Sequence, residues 1–586
     1  MTTVYVESGE STMLSEGRSL YVYTKKPDNI FNVRMRLLPT RYYLPSSKKW
    51  EVPLGSMGLL KKTFSRVVVV GDGLIDSKFA SIDEYIDHLS KLSIPPELNF
   101  EPKTKMDPHQ VEWFLEMLKR NRVILGDPMG LGKTKEYLDV TEFRRLSRGY
   151  RKTLFICKSK HKENMAKEIR IHCCKECDQP TLASCRSCED CPLYIVVEGK
   201  EAKRIQLLRD FYYEDKAYYL IISYEMAAHH AKHLKSLGRT VGFDAVIMDE
   251  FNKIKNWGSQ RKRQDGKPHI TIQITKLVEV LNPELLILGS GTPMTKNPAD
   301  LYAPLRLLGV EKRSHNQYVR HFCKVDGWGR PVGAKNVDEL RELLSSVMIR
   351  RPKELLRLPE KRINYIPLVM EPAQRRLYDA AKNKIKSELV GTKVYGASKL
   401  ALLTRLRQIT TAPILVDSDV VGIKELVLEE LLEEIRDSGE KAVVFSIYAQ
   451  FTRYLRDKFQ KFNPAYIDGT LNSRKAQEQV DKLEEDPNVS MIIASLFAGN
   501  ESYTMTAARH AIFTDMSWTV TDNQQAEDRI HRRGQTESVS INYLYCKDSI
   551  DERVLDILEE DASLIYEVVE GSERRLSKEV FEHLLS

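Results

Sequence analysis

Residues 122–134 read RVILGDPMGLGKT, an apolar run entering a glycine-rich turn, and a helical pattern follows at once. Gly130 and Gly132 let backbone N–H groups turn inward around phosphate oxygens with no Cβ in the way, and the start of the helix adds a field that favours negative charge. Lys133 is placed to reach β- and γ-phosphates, and Thr134 to set its hydroxyl on Mg²⁺. The first loop position is Asp127 where the strict pattern has Gly, so this is a variant phosphate loop. A strand, a phosphate loop and a helix in succession imply a parallel sheet with helices on both faces.

The pattern extends outward from that unit. With Arg122–Gly126, the runs Thr153–Cys157, Tyr219–Ser223, Asp244–Met248 and Leu285–Gly289 read as strands, all before residue 300. Lys441–Ile447, Ser490–Leu496, His510–Thr514 and Ser540–Tyr545 repeat the alternation later. The expectation is an α/β protein with two doubly wound parallel-sheet lobes, 101–300 and 436–586 with a helical tail, joined by a mainly helical bridge at 301–435. Residues 1–100 read differently, with strands at Ser19–Tyr23, Phe31–Leu37 and Arg66–Val70 and a helix at Ile82–Leu92, which predicts a small α+β module. Within it Val67–Gly73 (VVVVGDG) lacks the glycine spacing of a dinucleotide loop and reads as a buried strand ending in a glycine turn.

Composition excludes several classes. Of 586 residues, 42% are apolar and 29% charged, which rules out disordered and fibrous chains. Lys plus Arg (90) exceed Asp plus Glu (82), a net +8 that permits a polyanionic partner without arguing for one. No stretch approaches the ~18 consecutive apolar residues that a membrane span needs. The start MTTVYVESGE lacks a secretory pattern. An intracellular location, cytoplasm or nucleus, is expected, with no membrane partner.

A magnesium nucleotide needs a second anchor at the tip of a neighbouring strand. Asp244–Glu250 (DAVIMDE) supplies it: Asp249 to hold Mg²⁺ and Glu250 to orient or deprotonate the attacking water. Hydrolysis also needs positive charge on the transferring phosphoryl group. Gln524–Gln535 (QQAEDRIHRRGQ) offers Arg529 and Arg532, three apart on one helical face, as arginine fingers.

Residues 172–192 (HCCKECDQPTLASCRSCEDCP) hold Cys174-x2-Cys177 and Cys185-x2-Cys188-x2-Cys191. Paired CxxC turns bring thiolates to tetrahedral spacing, so one structural Zn²⁺ on four of these five is expected, an iron–sulfur cluster being the alternative. The cluster interrupts the first lobe between two strands, as a metal-binding insertion stapling a loop.

Over residues 105–555 these motifs, in this order, resemble the superfamily-two helicase-like ATPases of the Swi/Snf group. The lobes are then RecA-like, the ligands ATP and Mg²⁺, and Gln110 in MDPHQVEWF looks like that group's adenine-reading glutamine. LLILGSGTPMTKNPADLY resembles the strand coupling the lobes, through Ser290, Gly291, Thr292 and Pro293, and Gln525 belongs to the matching motif of the second lobe. VIMDEFNKIKN departs from the group's pattern: Asn252 stands where His links the water-orienting acid to the coupling strand. A second departure is Asn500–Thr506, where a glycine-rich loop is expected and only Gly499 is kept. Residues 327–356 look like the annealing-helicase branch, and residues 31–53 resemble its HARP-type module. In that module Arg34, Arg36, Arg41 and Trp50 could pair with phosphates or stack on bases, Trp50 being equally readable as the core of a small sheet. The resemblance implies a DNA-stimulated ATPase that translocates on duplex DNA and remodels forked or branched DNA. The alternatives are a strand-separating DNA or RNA helicase and a nucleotide-gated binding scaffold.

Overall fold

The computed structural model describes residues 3–10, 18–23, 42–44, 49–53 and 66–69, and residues 81–569 apart from 174–192, 214–216, 256, 258–268, 328, 392–395, 500–502 and 566–567. Two wholly parallel sheets dominate. The first has seven strands in the order Met348–Ile349, Arg122–Leu125, Leu285–Gly289, Ala245–Asp249, Thr153–Cys157, Tyr219–Ser223 and Tyr194–Val196. The second has six: Lys361–Leu368, Val539–Cys546, His510–Phe513, Ala442–Ser446, Met491–Ser495 and Ala465–Ile467.

Their central strands are apolar throughout because both faces are covered. Along Thr153–Cys157, Leu154 and Ile156 enter one core while Phe155 and Cys157 enter the core on the opposite face. In the second sheet Val443 and Phe445 pack on one side, Ala442 and Val444 on the other. Period-two alternation thus sorts each strand between two helical layers.

The stretch 301–435 is mainly helical, and it also gives a strand to each sheet: Met348–Ile349 to the first, Lys361–Leu368 to the second. It also forms an antiparallel hairpin, Cys323–Val325 with Pro331–Ala334. Two residues are too few to show a period. Lys361–Leu368 (KRINYIPL) is an edge strand with only Leu368 fully buried, so it carries no apolar run. The edge strands Tyr194–Val196 and Ala465–Ile467 are apolar, but at three residues each they are too short to stand out as strands.

Two segments join the lobes. Residues 350–360 run from the last strand of the first sheet to the outer strand of the second. The helix Ile550–Ile565 follows the second sheet, and Val568 and Val569 beyond it are buried in the core of the first lobe. No helix among the described residues is long and apolar enough to cross a membrane.

The N-terminal segment forms a five-stranded sheet ordered Tyr42–Leu44, Lys49–Pro53, Arg18–Tyr23, Thr3–Glu10 and Arg66–Val69, antiparallel except for the last pair. Arg66–Val69 therefore forms an edge. The strand expected at Phe31–Leu37 lies outside the described residues. So do Arg34, Arg36 and Arg41, while Trp50 stands on Lys49–Pro53 with its backbone between Val22 and Tyr43. The helix Ile82–Ser90, begun by the Ser81 hydroxyl accepting from the Glu84 N–H, leads into the first lobe. There the Tyr85 hydroxyl donates to Glu112.

Candidate active site

The phosphate loop leaves the carboxyl end of Arg122–Leu125 and runs into the helix Lys133–Arg148. Gly130 and Gly132 sit at φ +96° and +85°, which side-chain-bearing residues seldom adopt. A Cβ on Gly132 would also fall 2.5 Å from the Gln110 side-chain nitrogen, so the bare backbone is needed twice over. Gln110 is buried beside the loop, its Oε1 accepting the Asp107 N–H as half of a capping box that starts the helix Pro108–Lys119. The Lys133 ammonium donates to the loop's own carbonyls, Asp127 O at 2.8 Å and Pro128 O at 3.2 Å. Thr134 is half-buried in the first turn of the helix.

Two strands away Ala245–Asp249 ends at the acid pair. Tyr137 donates to Asp249 at 3.4 Å, and the His161 ring lies 3.5 Å from its other oxygen. Burial pushes the Asp249 carboxyl up, but His161, with Lys133 and Lys158 behind it, outweighs that and holds it below the ordinary carboxylate range. Glu250 is 4% exposed and held at φ +54°, a strained value of the kind that gathers at working sites. Lys158 approaches it to 3.8 Å. The amide of Asn252 donates both to Glu250 (3.2 Å) and to Thr292 (3.3 Å), so it spans the acid and the strand-end turn as the usual histidine would. Ser290, fully buried, accepts from the Thr292 N–H at 3.2 Å, and Gly291 lies close against Met129 of the loop.

Arg529 and Arg532 come from the second lobe, just beyond the helix Val520–Glu527 that carries buried Gln525. Arg529 reaches to 4.0 Å from the Met129 sulfur, and its other nitrogen to 3.5 Å from the Tyr503 carbonyl, within the stretch that lacks the expected glycines. The Arg532 Cγ lies 3.8 Å from where a Cβ on Gly130 would stand. Burial, then the neighbouring Arg532, pushes Arg529 down to about 10, and burial lowers Arg532 as well. Glu250 is among the charges that pull Arg529 back up. One nitrogen of Arg532 is buried without a hydrogen-bond partner. Lys133 and Arg532, remote in sequence, therefore border one loop.

Sequence reasoning missed Tyr137, Lys158, His161 and the pair Arg350–Arg351. Gly289 was a legible hint to the first: a Cβ there would stand 1.5 Å from the Tyr137 hydroxyl. Arg351 is 3% exposed and forks onto fully buried Asp127 (Nε to Oδ2 2.7 Å, backbone N–H to Oδ1 2.8 Å). It also reaches Glu136 and the His109 carbonyl. Arg350 donates to the Gly126 and Gly291 carbonyls. A carboxylate at the root of a phosphate loop needs such a partner, and the need could have been inferred. Among the described residues no cluster of three or more His, Cys, Asp and Glu side chains is suited to a metal ion. Cys174, Cys177, Cys185, Cys188 and Cys191 lie outside them.

A phosphate loop from one parallel sheet, faced by arginines from a second, defines a two-lobed phosphate-loop protein. The chain belongs to the SNF2-related family: the family described as SNF2-related domain matches residues 107–415, and the helicase conserved C-terminal domain matches 424–534. It is similar to human "DNA annealing helicase and endonuclease ZRANB3", 27% identical over 503 residues, covering 82% of this chain and 42% of that one. It is also similar to the Xenopus tropicalis "SWI/SNF-related matrix-associated actin-dependent regulator of chromatin subfamily A-like protein 1", 26% identical over 459 residues, covering 76% and 43%. The chain thus spans less than half the length of these relatives. A solved "Sulfolobus solfataricus SWI2/SNF2 ATPase core in complex with dsDNA" covers 83% of this chain and 98% of its own, at 20% identity and a TM-score of 0.35.

Proposed function

We propose that the chain is a DNA-stimulated ATP hydrolase that moves on duplex DNA and remodels forks or branches. The observation that carries this is the approach of Arg529 and Arg532 to the phosphate loop of the other lobe. Burial makes their positive charge costly, and a triphosphate between the lobes relieves that cost. In this reading Gly130 and Gly132 give the β- and γ-phosphates access to backbone N–H groups, Lys133 turns from the loop carbonyls to the phosphates, and Gln110 reads the base. Glu250 orients the attacking water, and Arg529 and Arg532 take up the charge that develops on the transferred group. Ser290, Gly291, Thr292 and Gln525 carry the change between lobes, Asn252 tying Glu250 to Thr292.

An ionised carboxylate at Asp249 and a hydroxyl at Thr134 are hard oxygen donors that suit magnesium. Held by those two side chains, Mg²⁺ would supply positive charge to the phosphate oxygens.

Residues 1–100 are a DNA-engaging module in this reading, with Arg34, Arg36, Arg41 and Trp50 as its contacts. The cysteine segment leaves the helix Lys162–His172 and returns to the edge strand Tyr194–Val196, and four of its five cysteines are assigned one zinc. Metal analysis of protein purified without chelator tests that: absence of zinc and iron removes it.

Phosphate release measured with single-stranded, duplex, forked and four-way DNA tests the main reading. Forked or four-way DNA should stimulate most, and Lys133→Ala should abolish turnover. Stronger stimulation by single-stranded RNA than by duplex or forked DNA would refute the substrate, and unchanged turnover in K133A would refute the site.

A further inference from the structure

We infer that residues 350–361 form a strut setting the reach of Arg529 and Arg532, in which Lys353 is a positioning residue that occupies Asp528 and so keeps that carboxylate from neutralising the two arginines. The inference rests on the ATP-hydrolysing reading above.

The strut is tied down at both ends. At its start Arg351 grips Asp127 and Glu136, Arg350 holds the carbonyls of Gly126 and Gly291, and the Leu356 methyl lies 3.1 Å from the Cβ position of Gly130. Those contacts fix it to the root of the phosphate loop and to the coupling turn. At its far end three side-chain contacts fall within 527–531, the stretch that contains Arg529, and the Glu360 carbonyl accepts the Val539 N–H of the second sheet. Lys353 Nζ meets Asp528 at 2.5 Å, the His531 ring donates to the Pro359 carbonyl at 2.8 Å, and Lys361 meets Glu527 at 2.8 Å. One short segment therefore measures the distance from phosphate loop to arginines.

The charges explain why lysine stands at 353. Asp528 precedes Arg529 directly and attracts both Arg529 and Arg532. Left without its lysine, a carboxylate beside the arginines would compete with phosphate oxygens for the same guanidinium donors. Lys353 and Asp528 are both partly sheltered, 22% and 16% exposed, so their pairing is less screened than a surface bridge. Glu527 is engaged likewise, by Lys361 and by the Tyr543 hydroxyl at 2.6 Å. Both acids beside the arginines are thus held by other groups.

The test is steady-state ATP hydrolysis by the full chain at saturating duplex DNA. Lys353→Met should lower kcat on the order of tenfold with the KM for ATP unchanged, since the arginines act on the transition state. Lys353→Arg should stay near the wild-type rate. Adding Asp528→Asn to K353M should recover most of the loss, a rescue that a merely structural lysine would not allow. If K353M melts well below wild type, Lys353→Gln takes its place in the same comparison. Wild-type kcat in K353M, or no recovery when D528N is added to a folded K353M, would overturn the inference. K133A, run in parallel, separates the two readings: turnover surviving there sinks the hydrolase reading. A dead K133A beside a fully active K353M sinks the strut alone.

Discussion

Replacing Arg351 by Met would remove the guanidinium that joins the phosphate loop, the first turn of its helix and the carbonyl of His109. The Asp127 carboxylate, fully buried, would keep the backbone N–H of residue 351 and lose the fork. Glu136 matters less: burial pushes it up and Arg351 is the largest pull the other way, so without the arginine it can take up a proton instead of remaining a stranded charge. The cost therefore falls on Asp127, and stripping one partner from a buried pair costs about 3–5 kcal/mol. At about 2–4 °C per kcal/mol for a unit of this size, the first lobe should melt roughly 10 °C lower. Scanning calorimetry reads the transition directly. Asp127→Asn added to R351M removes the stranded charge and should return part of the loss. An unchanged transition in R351M, or a double variant no more stable than R351M, would show that the triad does not hold the loop.

Arg532→Ala should cut DNA-stimulated kcat by about 10³-fold or more if that side chain serves as an arginine finger, with ATP affinity measured separately by equilibrium titration; a loss confined to affinity would contradict the assignment. Asn252→Ala removes the bridge between Glu250 and Thr292. At about 0.5–1.5 kcal/mol for such a hydrogen bond, kcat should drop by roughly threefold to tenfold, and an unaltered rate would show the bridge idle. Burial pushes both His109 and His531 below the ordinary imidazole range. A depressed folded-state value means that their contribution to stability is complete above the unfolded-state pKa of about 6.5 and is lost as pH falls below it. The melting temperature of wild type should therefore fall more steeply between pH 7 and 5.5 than that of His531→Gln, and parallel slopes would count against it.

The parts of this protein that could be read in advance are those where one physical requirement leaves few sequence solutions. Thr153–Cys157, Tyr219–Ser223 and Leu285–Gly289 are buried on both faces, which forces continuous apolar runs with clear ends. The loop needs glycine at 130 and 132 because its backbone turns through left-handed φ. Edge strands obey no such rule. Tyr194–Val196 is apolar but only three residues long, and Lys361–Leu368 is largely exposed and carries mixed residues. Arg350 and Arg351 show the opposite failure. A basic pair reads as solvated surface, yet Arg351 is buried because two acids remote in sequence, Asp127 and Glu136, need it. Partners separated by more than two hundred residues leave no local trace, whereas Asn252, two positions from Glu250, could be weighed at once.

The strengths of the contacts around the cleft decide which of them can cycle. Arg351 with Asp127 and Glu136 is desolvated, and breaking it strands buried charge, so the strut's root stays with the first lobe. Contacts between the lobes themselves are of another order. Arg533 meets Asp107 with side chains 60% and 32% exposed, a pair of the kind that contributes roughly 0.2–1 kcal/mol. Arg529 approaches the Met129 sulfur at 4.0 Å. Opening would give up these weak contacts first; the better sheltered Lys353–Asp528 pair and the chain itself, which crosses between lobes at the strut and at the helix Ile550–Ile565, remain. Within the strut, Arg357 already holds a left-handed φ of +45° between Pro352 and Pro359. Dihedral change there would swing the second sheet and part Lys353 from Asp528 while leaving Arg351 in place, so a cleft that closes on a triphosphate could reopen without dismantling the loop that bound it.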